Sequence, residues 1–73
     1  MTNTNKLKKK IEDSGLKYGY IAEKMGISRF ALTHKICNET EFKSGEVLRL
    51  CEILGIASFE EREELFFVKK VDK

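Results

Sequence analysis

No proline interrupts this sequence, and no low-complexity stretch divides it. With 41% hydrophobic residues, that combination excludes a disordered tail and points to an ordered, helical globule. Long hydrophobic runs are also missing: no window approaches the length needed to cross a membrane. The opening MTNTNKLKKK is polar and then basic, with no apolar stretch behind it. It reads as neither signal peptide nor anchor, so a cytoplasmic location is expected. Cysteine is scarce, with Cys37 and Cys51 standing 14 positions apart and no CxxC pair. Two free thiols are expected in a reducing compartment. Adding His34 makes three potential metal ligands, but without zinc-motif spacing, and no metal site is assigned. The sequence has one histidine, no glycine-rich phosphate loop and no nucleophile paired with a base by motif. Neither enzymatic activity nor a cofactor is expected.

What is present fits one small domain spanning residues 1–73. A chain of this size buries only about 60% of its unfolded surface, which leaves little room for a deep cleft and places any function on the surface. Net charge is only +2, but its distribution is uneven. Residues 1–38 carry eight basic and three acidic side chains, a net of +5, whereas residues 39–73 carry six basic and nine acidic, a net of −3. Such asymmetry suggests a phosphate-facing half and a half facing away, although a charge run is also simply a solvated face.

Punctuation along the chain predicts five short helices. The first runs from about Asn5 to Ser14, with Leu7 and Ile11 inward and Gly15 as the stop. Its lysines, Lys6, Lys8, Lys9 and Lys10, precede Glu12 and Asp13, the reverse of what the helix dipole favours. An anionic partner near its start would account for that order, and so would chance. The second helix spans Tyr18 to Met25, burying Ile21, Ala22 and Met25, and Gly26 supplies a left-handed stop. Ser28 caps a third helix that ends near Cys37, with Asn38 able to turn left-handed. The fourth starts near Ser44, has Val47, Leu48, Cys51 and Leu54 as its apolar stripe, and stops at Gly55. Ser58 and Glu61 form a capping box for a fifth, which is acidic at its start and ends in Leu65, Phe66 and Phe67.

The segment YGYIAEKMGISRFALTHKI, Tyr18 to Ile36, combines these signals most tightly. Ala22 must be small where the next helix crosses, Gly26 makes the turn, and Ile21, Met25, Ile27 and Leu32 fill the wedge between two helices. This is a helix-turn-helix pattern at about residues 18–37. A rotation of about 100° per residue groups Leu32 with Ile36 and sends Phe30 and His34 to the opposite side. An outward phenylalanine between an arginine and a histidine is unexpected on a purely structural helix.

These residues carry a family resemblance. LKKKIEDSGL ahead of the motif, IAEKMGIS across the turn, and EVLRLCEILGI followed by ELFF resemble the Cro/CI-type helix-turn-helix regulators, the XRE family. Within that family the likeness is closest to short phage Cro-like repressors, and it covers nearly the whole chain. The resemblance implies an all-α, compact five-helix lambda-repressor-like domain that binds double-stranded operator DNA as a homodimer. By position, the base-reading residues would be Ser28, Arg29, Phe30, Thr33 and His34. Phosphate contacts would come from Lys17, Tyr18, Lys35, Asn38 and Lys43. The chain departs from the family pattern at three of these. Lys17 stands where a Ser or Thr cap is usual, Tyr18 where a glutamine is usual, and Lys35 where many members keep an apolar residue.

Arg29 is the leading candidate for base reading, since a guanidinium can bond O6 and N7 of guanine together. Phe30 either meets the 5-methyl group of thymine or folds back against the second helix. For Lys8, Lys9 and Lys35, phosphate contact and plain solubility are both open. Phe66, Phe67, Val68 and Val71 form an apolar end, within about 59–71, that is either a homodimer surface or a cap on the core. The competing function is a protein-interaction module, such as an antirepressor or a toxin-binding antitoxin. That reading would require a wide apolar patch on the third helix.

Overall fold

The computed structural model describes residues 1–68. Among them the secondary structure is entirely helical: α1 (Thr4–Ser14), α2 (Tyr18–Met25), α3 (Arg29–Ile36), α4 (Ser44–Leu54) and α5 (Phe59–Phe66). Local chemistry explains most boundaries. Asn3 accepts the Lys6 N–H at 3.1 Å, Ser28 the Ala31 N–H at 3.0 Å and Ser58 the Glu61 N–H at 3.3 Å, each satisfying a donor that the first turn leaves open. At the start of α4 the direction reverses, with the Lys43 N–H donating to Glu46 Oε1 at 2.9 Å. The capping box expected at Ser58 forms by half. Glu61 lends its N–H to Ser58, but its carboxylate lies 3.0 Å from Lys10 of α1.

The core takes Leu7 and Ile11 from α1, Ile21 and Ala22 from α2, and Leu32 and Ile36 from α3. Val47, Leu50 and Cys51 of α4, Ile56, and Leu65 and Phe66 of α5 complete it. Helix α2 packs on α3 and α4, while α1 packs on α3, α4 and α5. One part of the expected α4 stripe is corrected. Leu48 is 54% exposed, and Leu50 is fully buried in its place. Positions 47, 50, 51 and 54 follow the i, i+3, i+4, i+7 spacing of a single helical face, and Leu48 falls on its flank. Met25 is half-buried against the core rather than within it.

The residues ahead of α1 are tied down by contacts distant in sequence. Thr2 is buried; its N–H donates to Asn38 Oδ1 at 2.8 Å, and Asn38 Nδ2 donates to the Thr2 carbonyl at 2.7 Å. The Asn3 N–H donates to the Leu65 carbonyl at 2.8 Å, and the Val68 N–H to the Met1 carbonyl at 2.9 Å. Thr4 donates its hydroxyl to the Ile36 carbonyl, 2.6 Å away at the end of α3. These bonds pin the C-terminal ends of α3 and α5 to the same short segment.

Candidate nucleic-acid interface

The surface of interest is built by the α2–turn–α3 unit. Gly26 adopts φ 74°, and its N–H and that of Ile27 return to the last carbonyls of α2. Glycine fits this left-handed corner because a β-carbon there would meet the adjacent carbonyl. The chain then passes through Ile27 to Ser28, whose extended backbone launches α3 at an angle to α2. Ile21, Ala22 and Leu32 are buried, filling the wedge between the helices. With Leu32 and Ile36 turned into the core, the opposite face of α3 is left to solvent.

At the first turn of α3, three residues ahead of Leu32, Arg29 is exposed and makes no ion pair among the described residues. Phe30 is 72% exposed. Its ring does not fold back on α2 but stacks along α3 on His34, with centroids 4.2 Å apart and planes inclined at 44°. His34 Nδ1 lies 3.7 Å from the Glu39 carboxylate. Thr33 is half-buried and gives its hydroxyl proton to the Arg29 carbonyl at 3.0 Å. Ser28 spends its oxygen on the cap of α3. Of the five residues expected to read bases, Phe30 and His34 therefore lie opposite the buried stripe, Thr33 on its flank, and Ser28 and Arg29 at the exposed start of α3.

Among the expected phosphate contacts, Lys17 and Tyr18 line one open depression, which Gly19, Tyr20 and the base-reading candidate Arg29 share. Tyr20 was not singled out from the sequence, although its spacing of two from Tyr18 places it on the same first turn. No side chain caps α2, so its first N–H groups remain open beside Lys17. Lys43 is exposed ahead of α4. The other two residues have internal partners. Lys35 is 12% exposed, with Nζ 3.0 Å from Glu46 Oε1 and 3.1 Å from the Glu41 carbonyl. Asn38 commits both amide hydrogens, to the Thr2 carbonyl and the Thr4 hydroxyl. It turns left-handed at φ 65°, as expected. Burial raises the pKa of Glu46. The Lys43 N–H, the Lys35 ammonium and the two lysine charges outweigh that effect and hold it below its ordinary value.

The lysines of α1 find their anions within the chain. Lys6 pairs with Glu64 and Lys10 with Glu61, both on α5, and Lys9 lies 3.7 Å from Asp13. The charge order that opposes the dipole of α1 is thus matched by the acidic helix beside it. Lys8 is exposed with no such pair among the described residues.

Comparison with protein-family models, with curated proteins and with solved structures finds no match. The surface must therefore be read from its own chemistry. Cys37 is exposed, whereas Cys51 sits in the core, where burial pushes its thiol pKa up. Among the described residues, no three His, Cys, Asp or Glu side chains converge as a metal site. No described helix is long and apolar enough to cross a membrane.

The apolar end divides in two. Phe66 is buried, edge-on to Phe42 with centroids 5.5 Å apart, and is core. Phe67 is 49% exposed and faces a groove shared with Val47, Leu48, Arg62 and Glu63. Val68 is half-buried, and Val71 lies outside the described residues.

Proposed function

We propose that this chain is a sequence-specific double-stranded DNA-binding regulator, a phage or prokaryotic Cro-like repressor of the Cro/CI helix-turn-helix type. In this reading the five helices form a lambda-repressor-like domain, and α3 enters the major groove of an operator in the cytoplasm. The observation that carries it is the solvent face of α3. Phe30 and His34 project opposite the fully buried Leu32 and Ile36, and Arg29 is exposed on the first turn of α3, next to the uncapped start of α2 and Lys17. A helix backed by core on one side, with a guanidinium exposed at its first turn, has the form that groove reading requires. Open N–H groups at a helix start beside a lysine suit a phosphate oxygen.

One domain of this size spans few base pairs, so useful specificity calls for two copies on a two-fold operator. The exposed Leu48 and Phe67, with Arg62 and Glu63 in the same groove, suit a second copy of this chain. In an isologous contact any pairing made by one copy is made by the other as well. The protein-interaction alternative needs a broad apolar surface on α3, and the exposed large apolar group there is Phe30 alone.

Selection of bound duplexes from a random pool tests the proposal, with enrichment of a palindrome expected. Fluorescence anisotropy on that duplex should show affinity falling steeply with salt, as released counterions require. Arg29→Ala should cost about 1–3 kcal/mol of binding and relax preference at one base pair. An unchanged affinity and preference would remove α3 from the groove.

A further inference from the structure

Resting on the DNA-binding reading, we propose that Phe30 recognises the 5-methyl group of a pyrimidine, in thymine or in 5-methylcytosine. The hydrogen-bonding capacity of the α3 face is partly used internally. Thr33 gives its proton to the Arg29 carbonyl, and Ser28 receives the Ala31 N–H. Between the guanidinium of Arg29 and the ring of His34 stands a phenyl group that is 72% exposed and can donate no hydrogen bond. Leaving that ring in water is unfavourable, and among the described residues His34, 4.2 Å away, is the one aromatic group against it. The contact with His34 holds the ring along α3, and the Glu39 carboxylate lies 3.7 Å from His34 Nδ1. The apolar feature on a major-groove edge is the pyrimidine 5-methyl, so an outward phenyl is complementary to it. Cytosine methylated at C5 presents the same group at the same place. Occupancy of a site containing cytosine opposite Phe30 therefore depends on methylation.

The test uses the full chain and the duplex enriched by selection. Each thymine is replaced in turn by deoxyuridine, which removes the methyl and keeps the base pair. At one position per half-site, wild-type affinity should fall about fourfold, the factor that burial of one such carbon group supplies. Phe30→Ala should be nearly indifferent to that replacement, and Phe30→Leu, still apolar, should retain part of the effect. Placing cytosine there and then 5-methylcytosine should restore about fourfold in affinity for the wild type alone. Equal deoxyuridine effects in wild type and Phe30→Ala, or an enriched half-site without a methyl-sensitive position, would overturn the inference and leave DNA binding intact. Absence of any enriched sequence or salt-dependent binding would end both readings.

Discussion

In a Glu46→Gln variant, the Lys35 ammonium loses the carboxylate 3.0 Å from its Nζ and keeps the Glu41 carbonyl at 3.1 Å. The two side chains are only 12% and 17% exposed, so water compensates poorly. At an effective dielectric of about 20, unit charges at this separation attract by roughly 5 kcal/mol, and desolvation offsets most of that. Breaking a buried pair by removing one partner costs ~3–5 kcal/mol. Here a glutamine oxygen can still accept the Lys43 N–H, and some solvent reaches both groups. A loss of about 1–2 kcal/mol is therefore expected, lowering the melting temperature by about 5–15 °C in a domain of this size. Thermal unfolding followed by circular dichroism measures it. The pH dependence has a definite sign. Because the Glu46 pKa is depressed in the folded state, its contribution is complete above the unfolded value and is lost as pH falls through the folded one. The gap between wild type and variant should be full at neutral pH and close in acid, below the ordinary carboxyl value of 4.5. A gap unchanged at pH 3 would refute the reasoning. So would strict additivity with Lys35→Met in a double-mutant cycle.

Substitutions at two other positions separate structural from recognition roles. Asn38→Gly keeps the left-handed turn but deletes the bonds to Thr2 and Thr4, so it should cost about 1–2 kcal/mol of unfolding free energy. Asn38→Ala should cost about 1 kcal/mol more for its strained φ, and denaturant melts showing the opposite order would remove the clamp from the account. Leu48→Glu, at a site 54% exposed, should leave the melting temperature nearly unchanged and convert two-copy complexes on a palindromic duplex into one-copy complexes. Sedimentation that still finds paired copies would place the second-copy contact elsewhere.

Helix boundaries were legible because their causes lie within a turn or two of each residue. Ser28, Gly26 and the pairing of Leu32 with Ile36 predict α3 and its turn, and the helix begins and ends within a residue of those bounds. The left-handed Asn38 followed from its position after the last apolar residue. Inside α4, the spacing from Val47 to Cys51 and Leu54 already points to Leu50 rather than the expected Leu48. Both positions are leucine, but Leu50 shares one helical face with Val47, Cys51 and Leu54, and α1 and α2 pack on α4.

Charge was the least legible property. The lysines of α1 and the acids of α5 looked like opposite poles of a molecule offering its basic half to phosphate. Folding instead lays α1 along α5, where Lys6 meets Glu64 and Lys10 meets Glu61. Lys35 and Asn38 carried the marks of phosphate ligands by type and position, and their partners lie at sequence separations of 11 and 36. No periodicity links residues that far apart, because a partner's identity depends on how whole helices cross. The exposure of Phe30 has the same origin. Sequence pattern turns the ring away from Leu32, but it leaves open whether a neighbouring helix covers it. The crossing of α2 and α3 leaves that face open, with His34 the one aromatic ring stacked on it.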